Sequence, residues 1–187
     1  MMGGVRGLPL CLGAIGACGP ASQAPDAGFD SGFRLEAGGF DAGDPDACTA
    51  RMPGDPGIVL GGGEVEWDEW ADGDPVSFFH GPQDGYHFYG SVKEQSIDTS
   101  DVAIVAFAAF DGEDQINDGL GVYARPGTWV NLGDGWRTTV GYYVVLNVED
   151  PEEVDGRSLC VILRVTDAAH AEFQDRRTIT LSYAGDM

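Results

Sequence analysis

The sequence predicts an all-β protein: a single antiparallel β-sandwich that follows a disordered N-terminal tether. Three observations predict this fold class. After Cys48 the chain consists of short apolar runs separated by Gly, Asp and Pro. Several runs alternate apolar and polar residues, as half-buried strands do. No apolar stripe with a 3.6-residue period reaches the length of a helix. Seven or eight strands are expected, which is close to the count of an immunoglobulin-like or fibronectin-like domain.

The expected strands follow one another from residue 64 to the C-terminus. In GEVEWDEW, Val65 and Trp67 alternate with acidic residues, which indicates one buried face. In DVAIVAFAAF the residues that would point to either face of a strand are apolar, so the segment predicts a central strand covered on both faces. TWVNL and WRTTVGYYVVLNV flank Gly133-Asp134-Gly135 and predict a hairpin. RSLCVILRVT and TITLSYA predict the last two strands, with these residues facing inward: Leu159, Val161, Leu163, Val165, Ile179, Leu181 and Tyr183.

The charge balance excludes one class of partner. The chain of 187 residues carries 31 acidic and 10 basic residues, a formal net charge of −21, and Lys93 is its single lysine. Such a surface repels phosphate backbones, so nucleic-acid binding is not expected. Cations and basic partners remain compatible with it, and the acidity also keeps an exported protein soluble.

The first 18 residues, MMGGVRGLPLCLGAIGAC, have the pattern of an export signal, with Arg6 before an apolar stretch that is too short to span a bilayer. Ile15-Gly16-Ala17-Cys18 resembles the lipobox of bacterial lipoproteins. The resemblance implies that residues 1–17 are a lipoprotein signal peptide, that Cys18 is acylated, and that Gly19 directs the protein to the outer membrane. Ordinary secretion with cleavage near Ala17 is the alternative.

Residues 18–47 are predicted to be the lipidated cysteine and a disordered acidic tether. The segment is rich in Gly, Ala, Asp and Pro and poor in β-branched residues, a composition that cannot repay the entropy of ordering. Its spaced aspartates could hold Ca²⁺ only weakly, because no rigid geometry positions them. The globular domain is expected over residues 48–187.

The number of cysteines left for pairing predicts one disulfide. If Cys18 is acylated, and Cys11 leaves with the signal peptide, Cys48 and Cys160 form an even pair in an oxidising compartment. Because Leu159 and Val161 point inward, Cys160 is expected on the outer face of its strand. A zinc site would require C-x-x-C or H-x3-H spacing, which the sequence lacks.

The stretch HGPQDGYHFYG, residues 80–90, contains His80 and His87. Turn signals at Gly81-Pro82 and Asp84-Gly85 could fold the segment back and bring the imidazoles together as ligands for copper or zinc. The alternative is a turn that feeds a strand, in which Tyr86, Phe88 and Gly90 alternate with His87 and Tyr89. The second interpretation needs no metal. The spacing of residues in the sequence also identifies no third ligand that would complete a copper or zinc site with the two histidines.

The same stretch carries a second resemblance. A Gly-Pro-Gln-x-Gly-x-His segment before an aromatic strand, behind a lipobox and an Asp-Ala-Gly-rich tether, resembles uncharacterised secreted lipoproteins of delta-class proteobacteria. The resemblance implies an immunoglobulin-like fold and no activity. The resemblance covers the order of segments along the whole chain, from the signal peptide to the last strand. The sequence departs from the pattern at Asp84, where a second glycine is expected. The matching residues are Gly81, Pro82, Gln83, Gly85 and His87.

Two further groups of residues suggest binding. DGEDQINDG, residues 111–119, resembles a calcium loop, but Gln115 and Ile116 occupy the positions where an EF-hand needs an Asp or Asn and then a glycine. Trp129 and Trp136 are expected on one face of the predicted hairpin near Tyr142 or Tyr143, where they form a binding surface or part of the core.

These patterns predict no catalytic residue and no enzyme, since G-x-S-x-G and similar motifs are absent from the sequence. The predicted function is that of a membrane-anchored lipoprotein with a non-enzymatic β-sandwich that binds a protein or a glycan. The predicted binding surface is Trp129, Trp136 and Tyr143. The alternative function is a metal-binding periplasmic protein that uses His80 and His87 for copper or zinc, or acidic loops for calcium. No cofactor beyond these ions is expected.

Overall fold

The structure is a computed structural model that describes residues 57–82, 84–95, 97–119 and 121–187. The described chain contains eleven strands, two short 3₁₀ turns (Pro126–Thr128 and Pro151–Glu153) and no α-helix. The strands are β1 (Ile58–Gly62), β2 (Asp68–Glu69), β3 (Asp74–Gly81), β4 (Gly85–Glu94), β5 (Ala103–Asp111), β6 (Asp114–Gln115), β7 (Gly121–Ala124), β8 (Val130–Gly133), β9 (Trp136–Leu146), β10 (Ser158–Thr166) and β11 (Glu172–Asp186).

The strands form two layers that β3 joins. The first layer runs β8-β9-β4, with β1 on the far side of β4. The second runs β11-β10-β5, with β6 and β7 along the outer edge of β5. β3 pairs with β11 in parallel, and its last residues pair with β4 antiparallel. The other described pairings are antiparallel, so the predicted all-β sandwich class is confirmed.

One hydrophobic core fills the space between the layers. Alternation along the strands supplies it, because successive side chains of a strand point to opposite faces. The central strand β5 is buried on both faces, as predicted. On β10 the alternate residues that were predicted to face inward are fully buried, and so are those of β11 up to Leu181. The core contains Phe88, Val92 and Val144 from the first layer and Phe107, Leu163 and Ile179 from the second.

The two layers are in close contact at Gly90. A methyl group there would lie 2.7 Å from Cε1 of Phe107, which packs across from the opposite layer. The Phe107 ring also contacts Tyr142, at 5.7 Å between centroids. Glycine at position 90 therefore lets an aromatic ring pack directly on the backbone of β4.

Buried polar groups fix the positions of β1 and of the β4–β5 connection. Asp175 of β11 accepts a hydrogen bond from the backbone N–H of Leu60 at 2.8 Å and pairs with Arg177 at 2.9 Å. Glu94, which is fully buried at the end of β4, pairs with Arg137 of β9 at 2.5 Å. The paired partners offset the cost of burying these carboxylates.

The prediction that GEVEWDEW forms one strand is wrong for most of that segment. Residues 64–66 form a bend and Val65 is 80% exposed, so only Asp68–Glu69 pair as a strand. The cause is Gly63, whose φ of +101° turns the chain back so that β2 pairs with β1. The strand count is also higher than the seven or eight expected, because the short strands β2, β6 and β7 lack a sequence pattern of their own.

The predicted signal peptide (residues 1–17), tether (18–47) and start of the domain at Cys48 lie outside the described residues. In the part of the chain that is described, no helix is long and apolar enough to cross a membrane.

Candidate functional site

The segment HGPQDGYHFYG is a β-hairpin. β3 ends at Gly81 and β4 begins at Gly85, and these two residues pair across the strands. Asp84 has a φ of +62° and donates its backbone N–H to the carbonyl of Gly81 at 3.2 Å. Asp is among the residues that tolerate this left-handed conformation, which explains how it can stand where a glycine was expected. The prediction of a turn that feeds a strand is confirmed; Gln83 lies outside the described residues.

The hairpin places His80 and His87 on opposite faces of the sheet. Phe79 pairs with His87 and His80 pairs with Tyr86, so the two imidazoles belong to adjacent register positions. Because side chains alternate along a strand, the structure does not bring them together as a copper or zinc site. His80 instead lies 3.3 Å from a carboxylate oxygen of Asp84 and 3.5 Å from one of Asp186.

Four rings form a continuous aromatic cluster on the outer face of the first layer. The cluster consists of Phe79, His87, Tyr89 and Tyr143. The ring centroids lie 4.7 Å apart for His87 and Tyr143, 5.2 Å for Tyr89 and Tyr143, and 6.3 Å for Phe79 and Tyr89. The register creates it, since Phe79 lies opposite His87 and Tyr143 lies opposite Tyr89. Tyr143 is the most exposed of the four, at 59%.

Surface depressions lie on both sides of the aromatic cluster. The larger, of about 430 Å³, is called the hairpin depression here. It is lined by Gly81, Pro82, Asp84, Gly85, His87, Tyr143 and Val145. The smaller, of about 220 Å³, borders Phe79 and Tyr89 and extends to Trp70. Concave surfaces with aromatic walls and a few polar groups are typical of ligand sites.

His87 is the buried polar group of the hairpin depression. Its residue is 4% exposed, and its Nε2 atom has no hydrogen-bond partner among the described residues. Burial lowers the pKa of His87, against a hydrogen bond to the Gly85 backbone and the charge of Glu64, which raise it. The lowered pKa favours the neutral ring, whose Nε2 is a polar atom buried without a described partner.

Tyr89 of the aromatic cluster remains protonated at neutral pH. Burial raises the pKa of Tyr89 most strongly, and a hydrogen bond with Tyr143 and the negative charge of Glu64 add to the shift. The surroundings thus include one acidic side chain, Glu64, next to Tyr89, and a second, Asp84, in the lining of the hairpin depression.

A second aromatic group lies further along the same face. The Nζ atom of Lys93 lies 4.8 Å from the centroid of Trp136 and 5.9 Å from that of Trp67, and Glu69 lies 3.9 Å away. We call this group the lysine box. It holds the chain's single lysine as a cation–π partner of two tryptophans.

The predicted surface of Trp129, Trp136 and Tyr143 does not form as one platform. Trp129 precedes β8 and packs against the hydrophobic core, while Trp136 contacts Lys93. A bulge between Asn131 and Gly133 breaks the alternation that would have placed both tryptophans on one face. Tyr143 belongs to the aromatic cluster, two of whose other members, Phe79 and Tyr89, were not identified from the sequence.

In the acidic loop at residues 111–119, polar side chains bind other parts of the protein. Asn117 is buried; its side chain accepts a hydrogen bond from the N–H of Ala109 and donates one to the carbonyl of Phe107, both at 2.8 Å. Asp111 pairs with Arg157. Within the described residues, no group of three or more His, Cys, Asp or Glu side chains is arranged to hold a metal ion.

Comparison with known proteins yields distant structural similarities. No family model and no curated protein matches the sequence. A crystal structure of the periplasmic chaperone SfaE aligns at 10% identity and a TM-score of 0.30 over 70% of this chain. This chain spans 59% of the length of that one.

Proposed function

We propose that this protein is an envelope lipoprotein, held at the outer membrane by an acyl chain on Cys18, whose β-sandwich is a non-enzymatic binding module. The observation that carries the binding proposal is the aromatic cluster, with an exposed tyrosine at its surface and a depression on either side. Aromatic side chains with a polar end dominate the binding energy of many protein and glycan interfaces.

The position of the aromatic cluster supports this role. Its rings lie on strands rather than on loops, so the sandwich holds them rigidly, and a preorganised surface loses little entropy when a ligand binds. Their partners in the register are fixed by the hydrogen bonds between β4 and β9. A core role would bury all four rings, yet Tyr143 keeps more than half of its surface exposed.

Replacing Tyr143 with alanine is expected to weaken ligand binding at least fivefold, since truncating a central aromatic residue of an interface costs more than about 1 kcal/mol. The full chain is applied to peptide and glycan arrays, and the affinity of any captured ligand is then measured in solution for both proteins.

The matched control is Tyr123→Ala. Tyr123 is 66% exposed and lies on the edge strand β7, outside the aromatic cluster. It should leave affinity unchanged. Equal affinities for the Tyr143 variant and the native protein would reject the aromatic cluster as the binding surface.

The lipid anchor has a separate test. Cys18→Ser removes the acylation site and should move the protein from the membrane fraction to the soluble fraction, because an acyl anchor contributes roughly 0.8 kcal/mol per buried methylene. Fractionation followed by mass measurement of Cys18-containing peptides gives the result. Persistence of the serine variant in the membrane fraction would show that something other than an acyl chain on Cys18 holds the protein there.

We further propose a disulfide between Cys48 and Cys160. Cys160 packs on the outer face of the second layer beside Ala108, Phe110 and Ile162, the face expected for it. The other three cysteines lie outside the described residues, and an export signal would leave Cys48 as the partner if Cys18 is acylated.

A further inference from the structure

We propose that the aromatic cluster and the hairpin depression receive a positively charged side chain, the ammonium of a lysine or the guanidinium of an arginine, from a partner protein. This inference rests on the proposed binding function and specifies the chemistry of the ligand. Three features lead to it: the charge around the cluster, the arrangement of its rings, and the buried, unpartnered Nε2 atom of His87.

The charge around the site favours a cation. Asp84 lines the hairpin depression and its side chain is 99% exposed, so it contributes negative charge at the edge of the depression. Glu64 acts electrostatically on both His87 and Tyr89. With a formal net charge of −21, the chain as a whole attracts basic partners and repels acidic ones.

The rings provide the second argument. Aromatic faces attract cations that approach within about 6 Å of the ring centroid. The lysine box on the same face shows this geometry inside the molecule, with Lys93 over Trp136 and Trp67. The aromatic cluster offers the faces of Phe79, Tyr89 and Tyr143 in place of tryptophan, and among the described residues no cationic side chain lies over them. A ligand cation would take the place that Lys93 takes in the lysine box.

His87 provides the third argument. Its Nε2 atom is buried without a described partner, and leaving a buried polar atom unpaired carries a free-energy cost. In the tautomer that carries its proton on Nδ1, Nε2 is an acceptor, and a ligand donor would remove this cost. An ammonium or guanidinium group supplies N–H donors. Tyr143 covers the ring of His87 at 4.7 Å and is the most exposed member of the cluster. We expect its side chain to swing outward as the ligand enters.

The experiment compares four probes on the full chain by NMR titration and calorimetry: a Gly-Lys repeat peptide, the same peptide with every lysine acetylated, a Gly-Glu repeat peptide, and maltohexaose. Acetylation keeps the four-carbon chain of the lysine, adds a neutral acetyl group and removes the charge. The lysine peptide should bind about tenfold more tightly than the acetylated one, as expected for a desolvated cation over aromatic rings, and the glutamate peptide should not bind.

Variants separate the site from general attraction to an acidic surface. His87→Phe keeps a ring and removes the Nε2 acceptor, and Tyr143→Ala removes a ring from an exposed position; both should weaken binding of the lysine peptide, whereas Tyr123→Ala should not. Melting curves show whether each variant is folded. If His87→Phe does not fold, Tyr143→Ala alone tests the proposal.

Two results would overturn the inference. If the lysine peptide binds equally to the native protein and the Tyr143 variant, the attraction is diffuse and the cluster is not a cation site. If maltohexaose or the acetylated peptide binds best and Tyr143→Ala abolishes that binding, the cation inference fails while the proposed binding function stands. Absence of Tyr143-dependent binding for all four probes and on both arrays would count against both.

Discussion

Replacing Arg137 with alanine is expected to lower the free energy of unfolding by about 3 kcal/mol, because it leaves a buried carboxylate without its partner. Glu94 is fully buried, and Arg137 Nε lies 2.5 Å from its Oε1 atom. The same guanidinium donates to the carbonyl of Ile97 at 3.0 Å and to the hydroxyl of Thr99. The variant therefore also loses the link between β9 and the chain that follows β4.

Urea unfolding measures this effect against two controls. Arg125→Ala removes an exposed arginine and should change the free energy of unfolding by less than about 0.5 kcal/mol. The double substitution Glu94→Leu with Arg137→Met replaces both charges with apolar groups and should recover most of the loss. A loss below about 1 kcal/mol for Arg137→Ala would mean that solvent already screens the pair.

Removing the proposed disulfide is expected to have the largest effect, a loss of roughly 4 to 5 kcal/mol in the chain-entropy model, because the bond between Cys48 and Cys160 would close a very long loop. Chemical unfolding of the full chain under oxidising conditions, with Cys48→Ser, Cys160→Ser and the double variant, measures it. The two single variants should be equally destabilised.

The double variant identifies the partner. If the two sulfurs are bonded, removing the second costs little beyond removing the first, so the losses are strongly non-additive. Reduction of the native protein should reproduce the same loss. Additive losses, or an effect of Cys160→Ser that Cys48→Ser does not share, would contradict a bond between Cys48 and Cys160.

The core strands were predictable because their signal is local. On β10, Leu159, Val161 and Leu163 alternate with outward residues, and the structure buries all three completely. The Gly133-Asp134-Gly135 turn was equally readable, since all three residues adopt positive φ. In contrast, the alternation around Val65 was misleading, because the backbone turn at Gly63 acts before any strand can form.

The candidate site shows the limit of such reasoning. His87 and Tyr143 could each be picked out as individual residues, but their contact depends on which strand lies beside β4 and in what register. The pairing of His87 with Phe79 on one side and the neighbouring β9 on the other is a non-local property. Sequence alternation contains no information about it, since period-two patterns specify a face and not a neighbour.

The sequence by itself determined the fold class, the faces of the central strands and the strongly acidic surface, because composition and alternation act over a few residues. Only the tertiary structure decided that His80 and His87 point to opposite faces, that Trp129 packs against the core, and that four rings from three strands form one cluster. These outcomes depend on strand register and on a bulge, which are set by packing between segments that are distant in the chain.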